Sequence, residues 1–293
     1  MSLALTPATA KRLAKRKRAD TIFRITCFLA ASLGVLILVL FLYKIFVDGI
    51  GRFSWQFVRA DLSSRPARTG IWPAIVGSLW IMVLTGLMAV PMGIAAALYL
   101  EEFNTRKNRL TEFIQLNIAN LAGVPSIVYG MLGLAVFVRW MALRESVISG
   151  ALTMSLLILP MVIIITQEAL RSVPKGYRDG SLALGSTYWQ AIRHQVLPAA
   201  LPGIFTGIIL SLSRAVGETA PLIVVGAAAY VSRVPKSIGD RYTVLPIKIF
   251  DWAEESKHGF NEAAATAILV LMIALLLLNS VAIYLRAKAR LRR

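Results

Sequence analysis

Arg214 and Glu218 stand four residues apart in Ser213-Arg214-Ala215-Val216-Gly217-Glu218-Thr219-Ala220-Pro221-Leu222, inside a run that is otherwise almost wholly apolar. A guanidinium is always charged and carries paired donors that fit a tetrahedral oxyanion, so Arg214 can hold an anion for a moment, with Glu218 holding the guanidinium when no anion is there. Glu218 and Thr219 then sit beside the same route. A second reading is an ion pair that fixes helix packing, since residues four apart share a helix face. Either reading answers a cost: one Arg at the centre of a bilayer is unfavourable by about 2.5 to 3.5 kcal/mol on insertion scales. Pro221 lacks the donor that would bond the Gly217 carbonyl, so a kink is expected beside the pair. A further polar point is Ser126, in Gly123-Val124-Pro125-Ser126, where Pro125 removes a backbone donor in the middle of another apolar run.

The runs that must position these side chains are membrane spans. The chain has 293 residues, of which 57% are hydrophobic, and a mean hydropathy of +0.68; that excludes an ordinary soluble domain. Crossing a hydrocarbon core takes about 20 helical residues, with every backbone group bonded inside the helix. Charge-free runs of that length are Ile25 to Tyr43, Ile71 to Leu100, Phe113 to Val138, Ser146 to Gln167 and Ala263 to Leu285, and Ala199 to about Val231 makes a sixth. The expected fold is all-α, a polytopic membrane protein with six transmembrane helices. Pro91 and Gly93 interrupt the second run, so Pro91, Pro125, Gly217 and Pro221 are the expected helix kinks.

The net charge of +17 does not make this a nucleic-acid binder, because its 32 Lys and Arg lie mostly between apolar runs rather than on one face. Taking the N-terminus as cytoplasmic, the inner segments 1–24, 101–112, 168–198 and 286–293 hold 19 basic residues. The outer segments 48–70, 139–145 and about 232–262 hold 11, so both termini are expected inside. The basic start resembles a signal peptide, but the run after it is too long, and a retained first span is expected. Cys27 is the single cysteine, and His194 and His258 are far apart, so no disulfide and no metal site are expected. No Gly-x-x-x-x-Gly-Lys-Ser/Thr loop is present, and any ATP hydrolysis belongs to a partner. The outer segment Pro246 to His258 reads as an interfacial helix, with Ile247, Phe250 and Trp252 toward lipid or protein.

Between the fourth and fifth runs lies a segment of about residues 168–198. Pro174 opens a short helix to about Leu184, and Gly185 ends it. Thr187 and Gln190 form a capping box for a second helix, stopped by Pro198. The string Asp179-Gly180-Ser181-Leu-Ala-Leu-Gly185, nine residues, then Gln195-Val-Leu-Pro198 resembles the EAA loop of ABC importer permeases. Gly185, Leu197 and Pro198 match in spacing, while Asp179, Gly180, Ser181 and Gln195 depart. Gly-Glu-Thr-Ala-Pro-Leu at 217–222, Leu100-Glu-Glu-Phe103 and Asn117 to Gly130 are similar to the PstA-type phosphate permeases.

The resemblance covers roughly residues 70–285. It implies a type I ABC importer permease core at 70–285, preceded by a basic segment at 1–24 and a first span with outer loop at 25–69, and followed by a basic tail at 286–293. It further implies that Asp179, Gly180, Ser181, Gly185, Tyr188 and Pro198 couple to a cytoplasmic ATPase, which uses ATP and Mg while this chain binds no cofactor. The implied partners are a homologous PstC-type permease, a PstB-type ATPase homodimer and an extracytoplasmic PstS-type phosphate-binding protein, in a bacterial inner membrane. Two alternatives stay open: a secondary carrier or channel for an oxyanion, and an ABC permease for a different oxyanion.

Overall fold

The computed structural model describes all residues except 1–6, 105–108, 228–230, 232–233, 257–258 and 292–293. His258 lies outside the described residues. Among those described there is no strand. Among the described residues five helical stretches are long and apolar enough to cross a membrane, and a bent pair makes a sixth if it is one crossing.

Helix α1, Pro7–Ile50, has 44 residues and so a length of about 66 Å, twice what the bilayer needs. It is exposed from Arg16 to Phe41. It meets the rest of the chain through its last turns, where Ile45 is buried and the Gly49 carbonyl accepts the Thr266 hydroxyl at 2.9 Å. A short α2, Trp55–Arg59, capped by the Ser54 hydroxyl, leads to α3, Trp72–Leu98. Pro91 lies within α3, which is unbroken there, so the expected interruption is absent. The irregularity comes about two turns later, where Tyr99–Phe103 winds as a wider π turn.

The third crossing differs from expectation more strongly. The run Phe113 to Val138 is not one rod: α4, Arg109–Ala122, and α5, Ser126–Gly133, with its π-helical continuation Leu134–Trp140, meet at 101°. The missing donor of Pro125 and the extended backbone at that residue (ψ 136°) break the ladder outright rather than kinking it. Helix α6, Val147–Arg171, is the most enclosed span and passes through Pro160 unbroken.

After α6 come α7, Gly176–Ala183, and α8, Tyr188–Ala191, joined across Gly185 in the left-handed region (φ 84°). The Thr187–Gln190 capping box is present on both sides. Pro198 does not stop the second helix. A π turn at Ile192–Val196 leads directly into α9, Leu197–Gly217, and the wider turn just before Pro198 leaves room for its ring.

Helix α9 ends at Gly217, so the fifth crossing is shorter than the apolar run that encodes it; α10, Ala220–Val225, starts afresh with Pro221 in its first turn. Beyond it, α11, Leu245–Glu254, and α12, Phe260–Leu291, complete the chain. Of the three apolar residues of α11 expected to face lipid or protein, Ile247 and Trp252 are buried against protein, the Trp252 ring stacking on Phe260 with centroids 6.1 Å apart, and Phe250 is exposed.

The principal core joins α3, α6 and α9 around Met154, Ile158, Val162 and Ile204. At one end of the bundle the extended segment before α11 is inserted, with Tyr242, Thr243 and Val244 buried. Its Ile238 and Asp240 carbonyls accept the first N–H groups of α6, from Ile148 and Val147, which would otherwise be unpaired.

Candidate functional site

The two helix breaks meet. A Cβ at Gly130 of α5 would lie 2.8 Å from the Pro221 Cα of α10, so only glycine lets the two short helices pack this closely. Behind that contact is a cleft of about 590 Å³, lined by the Leu121–Ser126 break, one face of α6 from Leu157 to Glu168, Arg214 and Glu218.

Arg214 occupies the last turn of α9, and Glu218 is its C-cap in extended conformation (φ −76°, ψ 122°). The expected pairing forms, but not on one helix face: the chain turns out of the helix to bring Oε1 of Glu218 to 3.5 Å from Nε of Arg214. The side chains are 64% and 20% exposed. A guanidinium in the last turn of a span avoids hydrocarbon by turning to water, to another polar surface or to the headgroup region. The long, loosely aligned contact leaves guanidinium donors open to another acceptor.

Ser126 opens α5, whose N-cap Pro125 provides no side-chain cap. The Val128 N–H bonds to the Pro125 carbonyl at 3.0 Å, which leaves the N–H groups of Ser126 and Ile127 without a helix or cap partner and gives a positive dipole end at the cleft. The structure thus brings Ser126, Arg214 and Glu218 together. Thr219 does not line the cleft, and its hydroxyl lies 3.5 Å from the Gly217 carbonyl. Glu168 does line it and was not foreseen, because an acid three residues before Arg171 reads as part of a loop. The cleft holds one guanidinium and two carboxylates, an environment that attracts an anion at one point and repels it at two others.

At the loop end, α7 carries Asp179, Gly180 and Ser181 on the outside of the helix-Gly-helix knob, Asp179 and Gly180 exposed and Ser181 half-buried. The knob's tip is apolar and open, with Leu184 89% exposed. Its inner side is tied to α3. Glu102, 2% exposed, accepts Nε of Arg178 at 3.0 Å on Oε2 and Nη2 on Oε1. Its carbonyl accepts the Tyr188 hydroxyl at 2.7 Å. Hydrogen bonding to Glu102 holds the Arg178 guanidinium above its ordinary pKa, against a smaller opposing effect of burial. Glu101 pairs with Arg171 through two contacts of 2.8 Å. Tyr188, expected to couple to the ATPase, has its hydroxyl turned inward to Glu102 on the π turn after α3; Glu102 and Arg178 were missed, although two acids closing an apolar run were a visible signal.

Residues 89–293 match the family described as binding-protein-dependent transport system inner membrane component. Residues 10–70 match a domain of unknown function. The chain is 33% identical over 293 residues to the phosphate transport system permease protein PstA 1 of Mycobacterium tuberculosis, covering 98% of this chain and 93% of that one. It is 36% identical over 194 residues to a probable ABC transporter permease protein, YqgI, of Bacillus subtilis, 66% of this chain and 65% of that one. Among solved structures, a bacterial alginate ABC transporter aligns over 92% of this chain and 96% of its own at a TM-score of 0.66 and 15% identity. The inward-facing MetNI methionine ABC transporter aligns over 78% and 99% at 0.61 and 19%. These two likenesses show the fold, that of type I ABC importer permeases. By family match and by full-length identity, the chain belongs to the binding-protein-dependent transport system inner membrane components, as a multi-pass permease subunit of the PstA type.

Proposed function

We propose that this chain is the PstA-type half of an ATP-driven importer of inorganic phosphate. The observation that carries an anion path is Arg214, an exposed guanidinium at the broken end of α9, beside the uncapped start of α5. The choice of phosphate rests on the full-length similarity to a phosphate permease. The permease family disfavours the secondary carrier or channel reading.

The surface that exposes Arg214 faces a homologous PstC-type permease, and the two halves enclose the passage. A PstS-type binding protein delivers the anion at the end where Tyr242 is inserted. A PstB-type ATPase homodimer, which holds ATP and Mg, docks on the knob from Asp179 through Gly180, Ser181 and Gly185 to Tyr188 and Pro198. The basic asymmetry of 19 against 11 supports a cytoplasmic position for that end and for both termini. ATP binding draws two such knobs together and rocks the bundles outward-facing; hydrolysis resets them.

During passage the anion takes guanidinium donors from Glu218 and gains the Ser126 hydroxyl and the free N–H groups of α5. Glu218 and Glu168 repel it, so the site releases as readily as it binds. The test is ATP hydrolysis by the complex reconstituted with its binding protein, with phosphate and sulfate compared. Stimulation and uptake with phosphate are expected; stimulation by sulfate alone, or phosphate uptake that follows an ion gradient without ATP, refutes the reading.

A further inference from the structure

The knob that faces the ATPase has an inner side whose bonds go to particular helices. Arg178 of α7 is bonded to three other pieces of chain at once. Its Nε and Nη2 meet the carboxylate of Glu102 on the π turn that ends α3, Nη2 also reaches the Leu170 carbonyl in the last turn of α6 at 3.1 Å, and Nη1 reaches the Val173 carbonyl at 3.0 Å. Tyr188 of α8 donates to the Glu102 carbonyl and lies 3.3 Å from its Oε2. The neighbouring Phe103 ring packs edge-on against Tyr188 and beside Trp189, with centroids 5.9 and 6.0 Å away. Both helices of the knob therefore converge on two consecutive residues of the π turn that ends α3, and one of these is a buried carboxylate whose two oxygens are both engaged.

From this we infer that Glu102, with Arg178 and Tyr188, is the mechanical joint of the permease, and that α7, α8 and the loop ends of α3 and α6 move as one body when the ATPase pushes on the knob. Glu102 and Arg178 act as positioning residues: they touch neither nucleotide nor anion. The inference rests on the reading of the knob as the ATPase dock. Geometry favours a joint over a simple brace. A brace needs one contact within the knob, whereas here the guanidinium reaches out of it to the π turn that ends α3 and to the last turn of α6, besides the Val173 carbonyl in the linker. The π turn at Tyr99–Phe103 adds a wider, re-aimed last turn that turns Glu102 inward and Glu101 outward to Arg171.

The experiment uses the full complex in liposomes, with nitroxides at Tyr99→Cys and Lys175→Cys in a Cys27→Ser background. The distance across the joint is measured without nucleotide and with trapped ATP. With the joint intact that distance stays constant through the cycle. With Glu102→Gln, or with the milder Arg178→Lys should the first fail to assemble, it shifts and broadens on ATP addition. In the same variants, anion imported per ATP hydrolysed falls by about tenfold while hydrolysis persists, and Glu102→Arg combined with Arg178→Glu restores part of the ratio.

A distance that changes with ATP in the intact complex overturns the joint, as does an import-to-hydrolysis ratio that survives Glu102→Gln. The distance needs no particular solute. Absent phosphate uptake with a constant distance therefore removes the phosphate assignment and leaves the joint standing.

Discussion

At the scale of single residues, the charge that made this chain legible was the one it could least bear. Arg214 inside an apolar run pointed to an anion passage, and Ser126 and Glu218 do share its cleft. Glu168 escaped notice because an acid one turn from a span end costs little and so carries no signal. Removing the guanidinium forfeits about 3 kcal/mol of charged hydrogen bonding, or roughly 100-fold in anion capture. Arg214→Gln is expected to lower uptake accordingly while the ATPase still copurifies; normal uptake by that variant would count against the passage. Arg214→Lys keeps the charge without the paired donors and is expected to fall between, measured as an increase in the apparent KM for the anion.

At the scale of elements, hydropathy found each crossing but could not tell a rod from a bend, because run length and composition are the same for both. The strings Gly-Val-Pro-Ser and Gly-Glu-Thr-Ala-Pro marked the places, while the outcome there, two open breaks touching through Gly130 and Pro221, depends on tertiary packing. Gly130→Ala forces that contact apart and is expected to destabilise the subunit by about 1 to 3 kcal/mol, read as a lower melting temperature in detergent. Gly185 is strained by any side chain for another reason: nothing crowds it, but its φ of 84° is left-handed. Gly185→Ala should therefore cost about 1 kcal/mol locally and weaken ATPase docking without affecting insertion, as copurification would show. In the loop that caps α6, Asp240 accepts the N–H groups of Lys236 and Ser237 and the Ser237 hydroxyl, which lower its pKa. A depressed carboxyl stabilises above its unfolded value and loses that contribution as pH falls through the folded one. The difference in melting temperature between the native chain and Asp240→Asn is accordingly expected at neutral pH and should vanish in acid below the ordinary carboxylate range.

At the scale of the molecule, the all-α fold and the count of crossings followed from the sequence, whereas the assignment of surfaces did not. Apolar residues that face lipid and apolar residues that face a second subunit have the same composition, so α1, exposed over most of its length, gave no sign of what it meets. Arg214 offers a probe of that surface. In the isolated subunit its 64% exposed side chain should react with an arginine-selective dicarbonyl, and in the assembled complex it should be protected, as peptide mass spectrometry would detect. The 101° bend also bears on biosynthesis. The chain leaves the ribosome in order, and α4 and α5, at 14 and about 15 residues with its continuation, are each too short to bridge the bilayer when they arrive at the translocon. Helix α4 also carries Arg109, Glu112, Asn117 and Asn120. The surfaces that hold this crossing together, α6 and Pro221 of α10, are made only later. The third crossing is therefore a debt that the nascent chain carries until about residue 221 has emerged, and chains released earlier should reach the membrane with that segment still outside it.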